Sequence, residues 1–533
     1  MGASSAIGAE PPPTNLGDVD LDSATIPEVQ ELMDMGELSS VELVQFYLDR
    51  IDALEPDVNA IIALSPAALD DAQAADDARA TGESGPLLGI PVLVKDNINT
   101  TGMPTTAGSY ALETSTPPDA FVVERLRDAG AIILGKANLS EWANMRSWPS
   151  SSGWSAIGGQ TNNPYALDRN PCGSSSGSAA AVAASMVSVA VGTETDGSII
   201  CPASAVGIVG VKPTIGLVSR SGIVPISSYQ DTAGPMARNV TDAAVLLGAM
   251  AGADPNDAVT ADASNQATDY TAALDANALD GARIGVWRES NFGLNPPVDA
   301  IMEGVIDRLE ESGATVVDPT DLVGLDPMYE NEFPAMLCEF KAEIATYLGT
   351  LGPEHPKTLQ DLIDFNLANA DLEMENFKQE TFDEAQAAPA IDDPSCVEAR
   401  TTATATAQTA IDSLMAEHDL DAILAPAGEP AWLTGPETGD VYIGPYSSPP
   451  AAVAGYPAIT FQVGDISGLP VGATLFGRKW SEPTLLALAY AYEQADPVRV
   501  PPTMPASIEF DGFVPPPAPE EGSAEPSGSE SPA

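Results

Sequence analysis

The chain has 533 residues, 44% of them hydrophobic, and carries 77 Asp and Glu against 21 Lys and Arg, a formal net charge of −56. That length buries a sizeable core without disulfides or metals, while a polyanion repels phosphate backbones and anionic lipid heads, which excludes nucleic-acid and membrane-surface partners. With only two histidines, His355 and His418, a His-rich metal site is excluded too, and no run of 18 apolar residues could span a bilayer.

Residues 1–24 carry Pro11, Pro12 and Pro13 among Gly, Ser and Asp and read as a flexible leader. The opening MGASSAIGAE lacks the basic start and apolar stretch of a signal peptide, which leaves the compartment open. Residues 27–54 space apolar side chains by three and four, predicting amphipathic helices. GIPVLVK (89–95) predicts a buried strand. FVVERLRDAG (121–130) predicts a helix and AIILGK (131–136) a strand; AIMEGVIDRLEESG (300–313) and ATVVD (314–318) repeat that order. YPAITFQV (456–463) and PVGATLFG (470–477) predict strands, and LLALAYAYEQ (485–494) a helix. The alternation implies an α/β protein with a largely covered sheet, folded as one domain over 25–497. Residues 498–533, rich in Pro, Glu and Ser, predict a disordered acidic tail. Only 7 cationic residues are lysines, a balance suited to high-salt habitats, where screening relieves self-repulsion. Cys172, Cys201, Cys338 and Cys396 form no C-x-x-C pair and are expected to be small buried residues.

The segment PCGSSSGSAAAVAASMVSVAVGTETDGSIICPAS (171–204) concentrates the chemistry. A Gly-Ser loop enters an Ala-rich helix, followed by the strand VSVAVG (187–192) and a second turn of small residues. A phosphate-binding loop would need Lys after its last Gly, but Ser178 follows Gly177. Gly173-Ser174-Ser175-Ser176-Gly177 formally fits a nucleophile elbow, although TNNPYALDRNPC (161–172) is turn chemistry where that motif needs a strand. Small residues could also serve tight helix–sheet packing alone. In the fourth reading, two serine loops converge on a lysine.

The segment resembles the amidase signature family: CGSSSGSAAA, then TDGSI, then GVKPT (210–214) and DTAGPMAR (231–238), preceded by VKDNINT (94–100). The resemblance covers roughly residues 25–497 and implies an amidase signature fold, a large mixed sheet covered on both faces by helices. It places the base lysine at Lys95, a bridging serine at Ser174 after a cis peptide bond from Gly173, and the acylated serine at Ser198. It implies hydrolysis of an amide through an acyl-enzyme, without cofactor or metal, by a monomer. Backbone N–H groups of the turn Thr195, Asp196, Gly197 and Ser198 would hold the oxyanion.

These residue types suit the reaction. Amide hydrolysis needs a nucleophile, a base that returns its proton to the leaving amine, and oxyanion donors. Lysine is a base only when neutral, and Lys95 ends an apolar strand where desolvation disfavours its charge. Asp196 is also a natural turn-former. Asp96 and Asp231 are expected to fix loops, Lys212 to be structural or at the surface, and both histidines to face solvent. Relatives acting on carboxylate-bearing substrates typically have Arg two positions after the acylated serine; this chain has Ile200. SEWANMRS (140–147) and WSEPTLLALAYAYEQ (480–494) resemble the peptide amidase branch of that family, which with Ile200 implies peptide amides or other small neutral amides as substrates. The alternatives are a broader amidase or one component of a glutamine-using amidotransferase.

Overall fold

The computed structural model describes residues 11–510, apart from positions 436 and 443. Helices start where capping chemistry permits. Thr25 with Glu28 and Ser39 with Glu42 form capping boxes that open the helices Ile26–Met35 and Ser40–Val58, and left-handed Gly36 and Asn59 end them.

Eleven strands form the main sheet: β1 (Ile61–Leu64), β2 (Pro91–Lys95), β3 (Ile132–Ala137), β4 (Val189–Glu194), β5 (Val209–Lys212), β6 (Thr232–Ala237), β7 (Arg283–Val286), β8 (Thr315–Val317), β9 (Ala422–Pro426), β10 (Ala458–Ile466) and β11 (Leu469–Phe476). Their order is β8-β7-β9-β11-β10-β5-β6-β4-β2-β3-β1. β2 runs parallel to both β3 and β4, and β7 to both β8 and β9, while the remaining pairs are antiparallel. Every residue of β2, β3 and β4 is buried, so helices and loops cover both faces there. The result is an α/β architecture with a mixed central sheet, as the resemblance implies. No helix among the described residues is long and apolar enough to cross a membrane.

The ends differ from their expected form. Residues 15–20 pair as a short hairpin, and Leu21 and Asp22 are buried. Asp22 accepts from Arg499 Nη1 at 2.6 Å, and Met504 is buried in the main core. Folded chain therefore extends on both sides of 25–497, because a buried ion pair and apolar contacts anchor it. The expected leader at 1–10 and tail at 511–533 lie outside the described residues.

Candidate active site

In open α/β sheets, ligands bind in the crevice outside the carboxyl ends of the strands. β2 and β4 end side by side, β2 on Lys95 and β4 on Thr193 and Glu194. Lys95 is fully buried. Its Nζ lies 2.7 Å from Ser174 Oγ, 2.9 Å from Thr193 Oγ1 and 3.2 Å from Thr193 O. Burial pushes its pKa down from 10.5 to about 7, against the pull of the Glu194 and Asp231 carboxylates. Half of the lysine is then neutral at neutral pH.

Ser174 follows a cis peptide bond from Gly173, as the resemblance implies. The helix Ser176–Ala183 starts two residues later, all eight of its residues buried. Gly177 admits the close approach there: a Cβ would sit 2.3 Å from Ala60 O and 2.5 Å from Asn138 O. The neighbouring serines are committed elsewhere. Ser175 Oγ donates to Thr193 O and accepts from Thr193 N, Ser176 Oγ donates to Cys172 O, and Ser178 Oγ donates to Val191 O. Ser174 alone of this loop meets the lysine.

The turn after β4 carries Ser198, which is partly exposed above fully buried Lys95 and Ser174. Ser175 N donates to Ser198 O at 3.1 Å, so main chain joins the two serine loops. No hydrogen bond links Ser198 Oγ to Ser174 Oγ in this structure. Among the described residues, no acceptor takes the N–H groups of Asp196, Gly197 or Ser198. Glu194 explains the turn's shape: its Oε2 accepts from Ile199 N at 2.7 Å and Ile200 N at 3.0 Å, opening the helix Ile200–Ala205. Gly197 is left-handed, with φ 74°, and a Cβ there would lie 2.3 Å from Tyr446 Oη.

The other predicted residues sort cleanly. Thr195 Oγ1 donates to Asp231, which also accepts from Ile226 N and Ser227 N; Asp231 fixes a loop, as expected. So does Asp96, which accepts from Thr106 and pairs with buried Lys136 at 3.1 Å. Asp196 accepts from Ser448 Oγ at 2.5 Å, a partner 252 residues away, in place of the local turn bond its residue type suggests. Burial, then Glu332, holds its carboxyl well above the usual range. Lys212 is fully buried, not at the surface. His355 is buried too, against expectation, in the lining of a cleft beside the site; His418 is half-buried.

Two expectations need correction. The cysteines are buried but paired, Cys172 with Cys201 and Cys338 with Cys396. The first bond ties the Ser174 loop to the helix after Ser198. Ile200 is buried with Trp287 and Tyr456 in an apolar cluster, so position 200 points into packing.

Sequence reasoning passes over Thr193, Glu194, Asn97, Tyr446 and Ser448. The first two stand in the quoted GTETDGS run beside Ser198, and Asn97 two places after Lys95, so proximity in sequence is their available signal. Tyr446 and Ser448 come from a distant loop with none.

A cleft of about 960 Å³ adjoins the site. Lys95, Ser174 and Ser198 do not line it; the wall reaches them through Thr193, Glu194, Thr195 and Asn97.

A family model described as Amidase matches residues 42–486. The chain belongs to the amidase family. It is a hydrolase acting on amides, and its solved relatives share the fold closely. The native peptide amidase of Stenotrophomonas maltophilia is 48% identical, with a TM-score of 0.85 over 92% of this amidase and 99% of that chain. A probable amidase of Arabidopsis thaliana is 38% identical over 495 residues, 90% of this chain and 92% of the plant protein. A component of the glutamyl-tRNA(Gln) amidotransferase of Caldanaerobacter subterraneus is 36% identical over 490 residues, 90% of this amidase and 97% of that relative.

Proposed function

We propose that this amidase hydrolyses the C-terminal amide of peptides to the free acid and ammonia through a Ser198–Ser174–Lys95 relay. The observation that carries the reading is the Lys95 Nζ contact with Ser174 Oγ at 2.7 Å in a fully buried site. A neutral amine has two N–H bonds and one lone pair. With the N–H bonds directed at Thr193 O and Oγ1, the lone pair faces the Ser174 hydroxyl. Lys95 takes the Ser174 proton as Ser174 takes that of Ser198, and Ser198 Oγ attacks the amide carbon. The unclaimed N–H groups of Asp196, Gly197 and Ser198 suit the oxyanion, with Thr195 holding the turn. The C–N bond then breaks, the relay returns its proton to the leaving ammonia, and water repeats the sequence on the acyl-enzyme.

The peptide-amide reading rests on the 48% identity to a peptide amidase across 99% of that chain. Relatives named as amidotransferase components favour glutamine as a competing substrate. Ile200 is buried in packing, so position 200 bears on the choice of substrate only through the shape it gives the turn after Ser198. Ammonia release from peptide amides, amino-acid amides, fatty amides and glutamine tests the reading. Peptide amides should exceed glutamine roughly 10- to 150-fold in kcat/KM, the value of one charge-assisted hydrogen bond. A preference for glutamine sinks it.

A further inference from the structure

The cleft beside the site is rich in acceptors and poor in donors. Glu194, Asp231, Glu343, Asp119, Glu124 and Glu354 all line it. Its one arginine, Arg220, is fully engaged: Nε and Nη2 donate to Asp257 at 2.9 and 2.5 Å, and Nη1 donates to Ser228 O. The other nitrogen-bearing ring, His355, lies 3.5 Å from Glu354 Oε1. Three further side-chain oxygens are buried in the lining without a hydrogen-bond partner among the described residues: Asn97 Oδ1, Ser115 Oγ and Glu194 Oε1. Asn97 is 3% exposed and Ser115 1%, so bulk water does not satisfy them. A lining of carboxylates whose one guanidinium among the described residues is spent calls for a ligand that brings N–H donors and positive charge.

We infer that this cleft receives the peptide portion of the substrate and selects a basic group there, a guanidinium or ammonium upstream of the scissile amide. The inference rests on the peptide-amide reading above and adds a side-chain preference to it. Glu343 is the central contact. It is half-buried on the helix Asp326–Gly349, and its Oε1 accepts from Ser228 Oγ at 2.6 Å. Burial pushes its pKa up to about 7, and Asp231 and Glu339 add to the shift. A bound cation reverses that crowding, because it supplies the countercharge missing from this wall. The wider acid excess steers the same ligands towards the cleft.

The test uses matched N-acetyl dipeptide amides in which the residue before the amide, or the one preceding it, is Arg, citrulline or Glu. Citrulline keeps the shape and most donors of Arg without the charge. We expect kcat/KM for Arg over citrulline of roughly tenfold or more at 0.05 M NaCl, citrulline above Glu, and most of the gap gone at 1 M, where the Debye length is about 3 Å. Glu343→Gln and, separately, the exposed Glu354→Gln should narrow the Arg-to-citrulline ratio. Glu310→Gln should leave that ratio unchanged, since Glu310 sits on the helix Pro296–Glu311, which packs on β8, β9 and β10. Equal rates for Arg and citrulline at both positions overturn the inference. So does a ratio that Glu310→Gln lowers as much as Glu343→Gln, which would assign the effect to overall charge. If small aliphatic amides are hydrolysed and none of the peptide amides is, the parent reading fails and this inference falls with it.

Discussion

Acidification should silence this enzyme along a curve that Lys95 dictates. Its pKa is pushed down to about 7 by burial. A base with that pKa is about half neutral at pH 7, about one-tenth at pH 6 and about one-hundredth at pH 5. The charged form dominates below the pKa, so activity is lost as pH falls and reaches its plateau by about pH 8. On a neutral peptide amide, log kcat/KM should fall with a slope near one, centred near pH 7, because that parameter reports the free enzyme. Two neighbours titrate in the same range, Asp231 at about 6 and Glu343 at about 7, both raised chiefly by burial. Protonating Asp231 removes a carboxylate that favours the lysinium, which bends the lower limb upward without moving its midpoint far. Ammonia release measured from pH 4.5 to 9.5 gives the curve, and Glu343→Gln should keep the limb. Lys95→Arg, a side chain that stays charged throughout, should abolish activity at every pH. A flat profile between pH 8 and 5, or a limb centred near 4.5, refutes a neutral lysine base.

Four other outcomes follow from the geometry. Ser198→Ala should abolish covalent labelling by a fluorophosphonate probe while Ser174→Ala retains slow labelling; label that survives on Ser174 in Ser198→Ala would reverse the two roles. Replacing both Cys172 and Cys201 with Ala opens a loop of 29 residues and should cost about 3–4 kcal/mol in urea unfolding. Ile200→Arg buries an unpaired guanidinium and should destabilise by about 3–5 kcal/mol without creating glutaminase activity. The melting temperature should climb between 0.05 and 2 M NaCl, since screening relieves a net charge of −56; no rise would remove the high-salt reading.

Much of the site is legible in the sequence because its chemistry is local. VKDNINT, the Gly-Ser loop and TDGSI each occupy one strand end or turn, so the family resemblance can carry over Lys95, Ser174 and Ser198 motif by motif. Strands with dense apolar runs, such as β2 and β3, are equally plain. The region between β8 and β10 is not. The helix Pro394–His418 contains TTATATAQTA, which alternates like a strand, and its buried face starts with Cys396, Ala399, Arg400, Ala403 and Ala407 before it reaches Ile411 and Met415. Buried alanines give little contrast with exposed ones, and an arginine on the inner face reads as surface. Only the tertiary partner explains Arg400: both Glu339 oxygens accept from it at 2.7 Å. The disulfides are illegible for a related reason. Spacings of 29 and 58 residues carry no geometry until packing brings each pair together, Cys338 and Cys396 from two helices and Cys172 and Cys201 from a loop and a helix.

Both ends of the described chain close on Asp22. Its carboxylate accepts from Arg499 and Ser185, and Arg499 also donates to Ala183 O. Those contacts lie at the end of the helix Ser176–Ala183, whose opposite end begins just after Ser174. A deletion that removes Asp22 strands the Arg499 guanidinium and one that removes Arg499 strands the Asp22 carboxylate, each an unpaired charge at the same helix terminus. The termini act as two halves of a single clasp, and trimming either one loosens the same rod that follows Ser174.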